Sequence, residues 1–150
     1  MSGFGMVRKG PLSELRADAA LPASGAWDDA SEATVLRVHD LSQVSVFVDY
    51  TEGTSGGGVE YRIESSPVSD GDDWYPAEEV IDETAVASSG EARIFPVRTA
   101  SMRLAGTQAG PVHTIDVGGA ERVRVLAREV GVTATPGDFR VRARGIALGA

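Results

Sequence analysis

Cysteine is absent from the 150 residues of this chain. Its absence excludes disulfide bonds, thiolate metal sites and cysteine nucleophiles, whatever the compartment. Long apolar runs are absent too, because nowhere do about eighteen apolar residues occur together. Arg8 and Lys9 lie near the N-terminus, but no apolar run long enough for the core of a signal peptide follows them. The sequence therefore predicts neither a membrane span nor export by a signal peptide.

Recognisable catalytic motifs are also missing. The two histidines, His39 and His113, stand beside no nucleophile motif such as G-x-S-x-G. The glycine runs at residues 3–5 and 56–58 match neither the dinucleotide-binding pattern nor the P-loop pattern. We therefore predict that the chain is not an enzyme and that it needs no cofactor.

Charge is distributed unevenly along the chain, whose net charge is −8. Residues 1–90 hold 17 acidic and 5 basic side chains, whereas residues 91–150 hold 5 acidic and 9 basic ones. Nucleic acid is not an expected partner, because its phosphates require a basic field. The asymmetry suits like molecules that meet through complementary faces, and it also suits an ordinary solvated surface of mixed charge.

Apolar and polar residues alternate with a period of two from residue 34 onward, which is typical of β-strands. The alternation is clear at residues 35–39, 44–50, 59–64, 122–130 and 138–148. Turn-forming clusters recur about every 8 to 12 residues, and no long helical pattern is present. The sequence therefore predicts an all-β fold, an antiparallel β-sandwich or jelly roll of about eight strands with an irregular N-terminal arm.

Two connections between these strands have the composition of hairpin turns. Residues 51–58, which are rich in glycine, would join the strand that ends at Tyr50 to the strand that begins at Val59. Residues 131–137, which contain Pro136, would join the last two strands. Both connections are therefore predicted to be β-hairpins.

Residues 1–33 differ from the rest because their apolar residues are sparse and are interrupted by glycine and proline. One short helix is plausible there, with Ser13 as its N-cap and its end before Pro22. Such a helix would be marginal alone. We therefore divide the chain into an extended N-terminal arm at residues 1–33, with this possible short helix, and a β-sandwich domain at residues 34–150.

One acidic and aromatic loop is a candidate binding site. Asp70, Asp72 and Asp73 supply oxygen atoms of the kind that Ca²⁺ binds, although the D-x-[DN]-x-[DN]-G pattern is incomplete. The rings of Trp74 and Tyr75 would stack on a sugar or on a partner if they are exposed, whereas a buried Trp74 would close the open end of the sandwich. A metal site, a carbohydrate site and an interface therefore remain open for this loop.

Arginines form rows on the last two predicted strands. Arg122 and Arg124 share one face of their strand, and Arg140, Arg142 and Arg144 share one face of the next. If the two strands pair, the rows form one patch, and its like charges require carboxylates in the fold or on a neighbouring molecule. The alternative is that the arginines only keep the outer face soluble. The candidate carboxylate partners are Glu78, Glu79, Asp82 and Glu83.

The alternation and turns of five stretches resemble those of β-sandwich virion proteins of tailed bacteriophages. The stretches are residues 35–41, 44–50, 69–75, 119–125 and 137–143. The resemblance implies a small sandwich or jelly-roll domain that decorates the capsid or forms part of the neck or tail, commonly as a symmetric oligomer. It also implies that residues 1–33 staple one subunit to the next.

The expected function that follows is that of a capsid decoration protein, assembled in the host cytoplasm and located in the virion. Its expected partners are copies of itself and a larger assembly such as a capsid, with no nucleic acid and no membrane. A neck or tail component is one alternative. A carbohydrate-binding module that uses the loop from Asp70 to Tyr75 is an alternative of another class, and loss of glycan binding on Trp74→Ala would favour it. An enzyme of unknown type is the remaining alternative.

Overall fold

The computed structural model describes residues 6–54, 56–77, 80–82, 97–99, 101–131 and 135–149. These residues form two short 3-10 turns, Ala23–Gly25 and Ala30–Glu32, and twelve strands. The strands are β1 (Met6–Ala20), β2 (Leu36–Arg37), β3 (Gln43–Thr51), β4 (Gly58–Ser66), β5 (Tyr75–Pro76), β6 (Val80–Asp82), β7 (Val97–Thr99), β8 (Met102–Ala105), β9 (Gln108–Ala109), β10 (His113–Asp116), β11 (Arg122–Val130) and β12 (Asp138–Gly149). Within these ranges no helix has the length and apolar character needed to cross a membrane.

The strands form two packed antiparallel sheets and a small ribbon. The first sheet has the order β1-β12-β3-β10, with β9 also on β3, and the second has the order β2-β11-β4-β5, with β8 also on β4. The strands β6 and β7 form the ribbon. The alternating apolar residues of β3, β4, β11 and β12 point between the sheets and are buried. The predicted all-β sandwich is therefore confirmed.

Both predicted hairpins are wrong. Residues 51–58 lead from β3 in the first sheet to β4 in the second, and residues 131–137 lead from β11 in the second sheet to β12 in the first. Instead, β12 pairs with β3 from Asp138↔Thr51 to Ile146↔Gln43, and β11 pairs with β4 from Arg122↔Ser66 to Val130↔Gly58. The two connections are crossovers at one end of the sandwich.

The two crossovers approach each other closely at glycines. A Cβ atom at Gly53 would lie 1.7 Å from the carbonyl oxygen of Thr135, and one at Gly137 would lie 2.4 Å from that of Thr51. These distances exclude any side chain unless the backbone moves. The glycines in these segments had predicted turns. They are instead required where the backbones of the two crossovers come into contact.

A buried carboxylate ties the sheets together at this end. Tyr50 Oη donates a hydrogen bond to Glu129 Oε1 over 2.7 Å, and the backbone N–H of Gly137 donates to Glu129 Oε2 over 3.2 Å. Burial and the neighbouring Glu129 raise the pKa of Tyr50 above its ordinary value, so its hydroxyl stays protonated and can donate. Glu129 thus joins β11 to β3 and to the start of β12.

The first strand replaces the predicted helix. Met6–Ala20 is extended throughout and pairs with β12 from Met6↔Gly149 to Ala20↔Asp138, so the helix that was to begin at Ser13 is wrong. The register shifts between Lys9 and Leu12 and twice more before Ala19. Such bulges interrupt the alternation of inward and outward side chains along a strand. The sequence of this segment therefore did not indicate a strand. The division of the chain at residue 33 stays a prediction.

An ion pair fastens the end of β1 to the second sheet. Arg16 Nε donates to Asp28 Oδ2 over 2.9 Å, and the backbone N–H of Ala127 in β11 donates to the same oxygen over 3.1 Å. Arg16 also donates to the carbonyl oxygen of Phe139 in β12. One carboxylate therefore connects the first strand, the loop that follows it and both sheets.

Candidate functional site

The outer face of the second sheet carries ion pairs between neighbouring strands. The register places Glu64 opposite Arg124 and Glu60 opposite Arg128. Arg124 Nε donates to Glu64 Oε1 over 2.9 Å, and Arg128 Nη2 donates to Glu60 Oε2 over 2.7 Å. Because opposite charges face each other at these two positions, Arg124 and Arg128 do not weaken the pairing of β11 with β4.

Glu60 makes the stability of this face depend on pH. Burial raises the pKa of its carboxyl, but the hydrogen bond and charge of Arg128 and the charge of Arg103 outweigh burial and hold the pKa below its usual range. A carboxyl with a lower pKa in the folded state stabilises the fold above its unfolded pKa, which is about 4.3. That contribution is lost as the pH falls through the lower folded pKa.

We therefore expect Arg128→Gln to lower the urea midpoint at pH 7 and to have a smaller effect at about pH 3, which lies below the unfolded pKa of a glutamate, about 4.3. Urea unfolding of both proteins at the two pH values measures this. Arg103→Gln is the matched control, because its side chain is 67% exposed and lies 3.3 Å from Glu60, and we expect a smaller effect. An effect of Arg128→Gln that stays constant with pH would contradict the assignment.

Trp74 lies on the outer face of β11. The Cζ atoms of Arg122 and Arg124 lie 4.5 Å and 4.1 Å from the centroid of its ring. The predicted closure of the end of the sandwich by Trp74 is therefore wrong. Two guanidinium groups cover part of the half-buried ring, and Tyr75 beside it is 55% exposed. A carbohydrate site in this loop stays a prediction.

Trp27 makes a similar contact that the sequence analysis did not predict. The Cζ atoms of Arg62 and Arg128 lie 4.5 Å and 5.0 Å from the centroid of its ring. Trp27 lies in the segment that was interpreted as an arm, and no pattern around it indicated a partner. The only available signal was the presence of a large aromatic residue in a segment with few apolar residues.

The two arginine rows do not form one patch. Arg122 and Arg124 are on β11 in the second sheet, whereas Arg140, Arg142 and Arg144 are on β12 in the first, so the predicted cross-strand patch is wrong. The carboxylates that were predicted as their partners, Glu78, Glu79, Glu83 and the side chain of Asp82, lie outside the described residues, so that prediction is untested. Whether any of these residues contacts another subunit stays a prediction.

Arg122 holds the loop at residues 67–75, which we call the acidic loop. Its side chain is buried, and it donates to the carbonyl oxygens of Val68 over 2.8 Å and of Gly71 over 2.9 Å. It also donates to Ser66 Oγ over 3.1 Å. Arg37 donates to the carbonyl oxygen of Ser69 over 2.5 Å. The acidic loop is therefore fixed in shape by the strands beneath it.

The carboxylates of the acidic loop, Asp70, Asp72 and Asp73, lie on exposed residues. Across the part of the chain that the structure describes, which includes these three, no group of three or more histidine, aspartate or glutamate side chains is arranged to hold a metal ion. The Tyr75 hydroxyl is hydrogen-bonded to Asp73, which raises the pKa of Tyr75. The loop thus presents negative charge and one exposed ring to solvent.

The outer face of the first sheet is only partly neutralised. Asp49 on β3 lies 3.1 Å from Arg140 Nη2 and 3.6 Å from Arg142 Nη2. Arg144 is opposite Leu12 on one side and Ser45 on the other. Within the described ranges, Arg144 has no ion pair, and its buried Nε atom has no hydrogen-bond partner. The positive charge of Arg144 is therefore not balanced by a contact within the described part of the chain.

Exposed apolar residues surround this charge. Val7 is opposite Leu148, Lys9 is opposite Ile146 and Leu12 is opposite Arg144, so all share the outer face of the first sheet. Val7 is 60% exposed, Leu12 41% and Leu148 67%. We call the group formed by Val7, Lys9, Leu12, Arg144 and Leu148 the basic face. It combines positive charge with solvent-exposed apolar surface.

The two histidines have different surroundings. His113 is buried, and its Nε2 atom lies 2.7 Å from Tyr61 Oη, so it links β10 in the first sheet to β4 in the second. His39 is exposed and lies 3.0 Å from Asp40. His113 therefore has a structural contact between the sheets, and His39 lies at the surface.

Comparison with known proteins gives one structural resemblance. No protein-family model and no curated protein matches this chain. Among solved structures, the chain is similar to the crystal structure of the SPBc2 prophage-derived protein YomS, with a TM-score of 0.45 and 13% sequence identity. The match covers 95% of this chain and 96% of that chain. At this score and identity the resemblance does not bear on what this chain does.

Proposed function

We propose that this chain is a non-catalytic structural protein of a phage particle, and specifically a capsid decoration protein that stabilises the shell through subunit contacts. The phage assignment comes from the resemblance of its alternating strands and turns to tailed-phage virion proteins. The structural observation that supports an assembly role is the position of β1. This strand of 15 residues ends the order of the first sheet, and exposed apolar side chains lie along it.

A strand at the end of a sheet has backbone N–H and C=O groups that no neighbouring strand satisfies, and these groups favour contacts with another chain. Exposed Val7 and Leu12 add apolar surface that association would bury. Pro11 and the bulges along β1 limit uncontrolled strand addition, because proline lacks an N–H and bulges disrupt a ladder. Such an edge suits a defined partner better than indiscriminate aggregation.

The direct test is to purify phage particles from the source of the gene and to measure this protein in them by quantitative mass spectrometry. We expect a copy number comparable with that of the major capsid protein. Deletion of the gene should leave particles that lose their genome at a lower temperature. A copy number far below that of the capsid protein would favour the neck or tail alternative, and absence from the particles would overturn the proposal.

A further inference from the structure

Two surfaces of this chain are complementary in charge and in apolar character. The basic face carries Lys9 and Arg144, and the acidic loop at residues 67–75 contains three carboxylates and no basic residue. Six large apolar side chains are exposed among the described residues, and five of them lie on these two surfaces. On the basic face they are Val7, Leu12 and Leu148, and on the acidic loop they are Val68 and Tyr75. Apolar contact and charge attraction would therefore act together if the two surfaces met.

One molecule does not bring these surfaces together. The basic face lies on the outer side of the first sheet and points away from the second, whereas the acidic loop follows β4 in the second sheet. We infer that the basic face of one copy binds the acidic loop of a second copy, so that the chains associate head to tail. This inference rests on the proposed assembly function, because it names the partner and the surfaces that an assembling subunit would use.

The acidic loop is held in one conformation by hydrogen bonds within its own chain. Arg122 and Arg37 hold four acceptors around it: the carbonyl oxygens of Val68, Ser69 and Gly71, and Ser66 Oγ. A loop that is already fixed loses little conformational entropy when it binds. The arginines beneath the loop therefore serve the interface indirectly, by shaping the surface that carries Asp70 and Tyr75.

The basic face contains a charged side chain that such a contact would pair. The Arg144 guanidinium is partly buried, and its Nε atom has no hydrogen-bond partner among the described residues. Neither residue opposite it, Leu12 or Ser45, carries a carboxylate, and Glu14 on the same face is opposite Arg142 instead. A carboxylate that arrives from a second copy would supply an opposite charge, since Arg144 has no ion pair among the residues that the structure describes. Charge-assisted pairs of this kind are stronger than neutral hydrogen bonds.

A contact between two different surfaces leaves one of each free on every dimer. Each added copy repeats the arrangement, so the product is a closed ring or an open filament, according to the rotation between neighbours. In a dimer with two-fold symmetry each basic face would have to meet the acidic loop of the other copy at the same time. The basic face points away from the second sheet, which carries the loop, and this arrangement disfavours such a dimer. The geometry therefore predicts assemblies larger than a dimer.

The test measures the mass of the full chain in solution by light scattering over a range of concentrations at low salt. We expect wild type to form assemblies larger than a dimer that dissociate as salt screens the contact. A face variant, Lys9→Glu with Arg144→Glu, and a loop variant, Asp70→Lys with Asp72→Lys, should each raise the dissociation constant by about 100-fold or more, because like charges then meet. Arg8→Glu is the matched control, since Arg8 is exposed beside Lys9 but is opposite Ala147 rather than on the basic face.

Mixing the two variants provides the decisive measurement. In the mixture, the unchanged acidic loop of the face variant can bind the unchanged basic face of the loop variant. The lysine-bearing loop of the loop variant can likewise bind the glutamate-bearing face of the face variant. We expect the mixture to recover assemblies larger than a dimer, which loss of folding in either variant would not allow. Monomeric wild type at every concentration, unchanged association in the variants, or variants that fail to reassociate when mixed would each overturn the head-to-tail contact. The copy number in particles tests the assembly function separately.

Discussion

Replacing Phe139 with alanine is expected to lower the free energy of unfolding by about 3 to 5 kcal/mol. Phe139 is fully buried on β12, and its ring lies 5.3 Å from that of Tyr61 on β4, with the ring planes inclined at 37°. The pair joins the two sheets within the core, so truncation leaves a cavity that the surrounding strands fill only in part. Urea unfolding should show a lower midpoint with an unchanged slope.

Two further variants separate burial from hydrogen bonding in the same region. Tyr61→Phe keeps the ring but removes the hydroxyl that lies 2.7 Å from His113 Nε2, so we expect a loss of about 1 to 2 kcal/mol. Val112→Ala is the exposed control, because Val112 is 57% exposed, and its effect should stay within about 0.5 kcal/mol. If Phe139→Ala changed stability as little as Val112→Ala does, the placement of Phe139 between the sheets would be wrong.

Replacing Asp28 with alanine is expected to destabilise the fold by about 3 kcal/mol. The carboxylate accepts hydrogen bonds from Arg16 and from the backbone N–H of Ala127, and the side chains of Arg16 and Asp28 are only 13% and 18% exposed. Its removal leaves a partly buried guanidinium and a strand N–H without their acceptor. Thermal or urea unfolding of the variant against wild type measures the loss.

Asp29 offers a matched control in the adjacent position. It accepts hydrogen bonds from the N–H and the hydroxyl of Ser31 at an exposed 3-10 turn, so Asp29→Ala removes the same charge and only a local cap. We expect a much smaller loss than for Asp28→Ala. Equal effects of the two substitutions would show that the connection between β1 and β11 contributes nothing beyond the cap.

Alternation of apolar and polar residues predicted the strands and their buried faces. Val44, Val46 and Val48 on β3, and Val59, Tyr61 and Ile63 on β4, are buried as the pattern required. Burial of one face of a strand is a local property, because side chains of consecutive residues point to opposite sides. For that reason a single sequence was sufficient for the fold class.

The pairing of these strands could not be obtained in the same way. Strands that follow one another in sequence usually pair, and the glycines of residues 51–58 agreed with a tight turn. Neither observation distinguishes a hairpin from a crossover between two sheets. The distinguishing contact is the approach of Gly53 to Thr135, which are far apart in sequence, and nothing local to either residue reveals it.

The charged faces were partly predictable. Glu60, Arg62 and Glu64 alternate with buried residues on β4, and this row matches the arginines of β11 when the two strands are placed in register. The arginines are evident in the sequence, but the expected pairing of their strand with β12 put their carboxylate partners in another segment. The basic face depends on β1, whose bulges concealed its strand character, and so it could not be predicted.

The pairing of β1 with β12 also has a consequence for synthesis. Phe139, Val141 and the rest of β12 emerge from the ribosome more than a hundred residues after β1, at about 5 to 20 residues per second. During those seconds β1 has no partner strand, and the first sheet cannot close between β3 and β1. Contacts of such high sequence separation slow folding, and they leave apolar strands exposed while the chain grows. Among the described strands of the two sheets, those that can pair before β11 and β12 emerge are β3 with β9 and β10, and β4 with β5 and β8. The sandwich therefore closes only after β11 and β12 have left the ribosome.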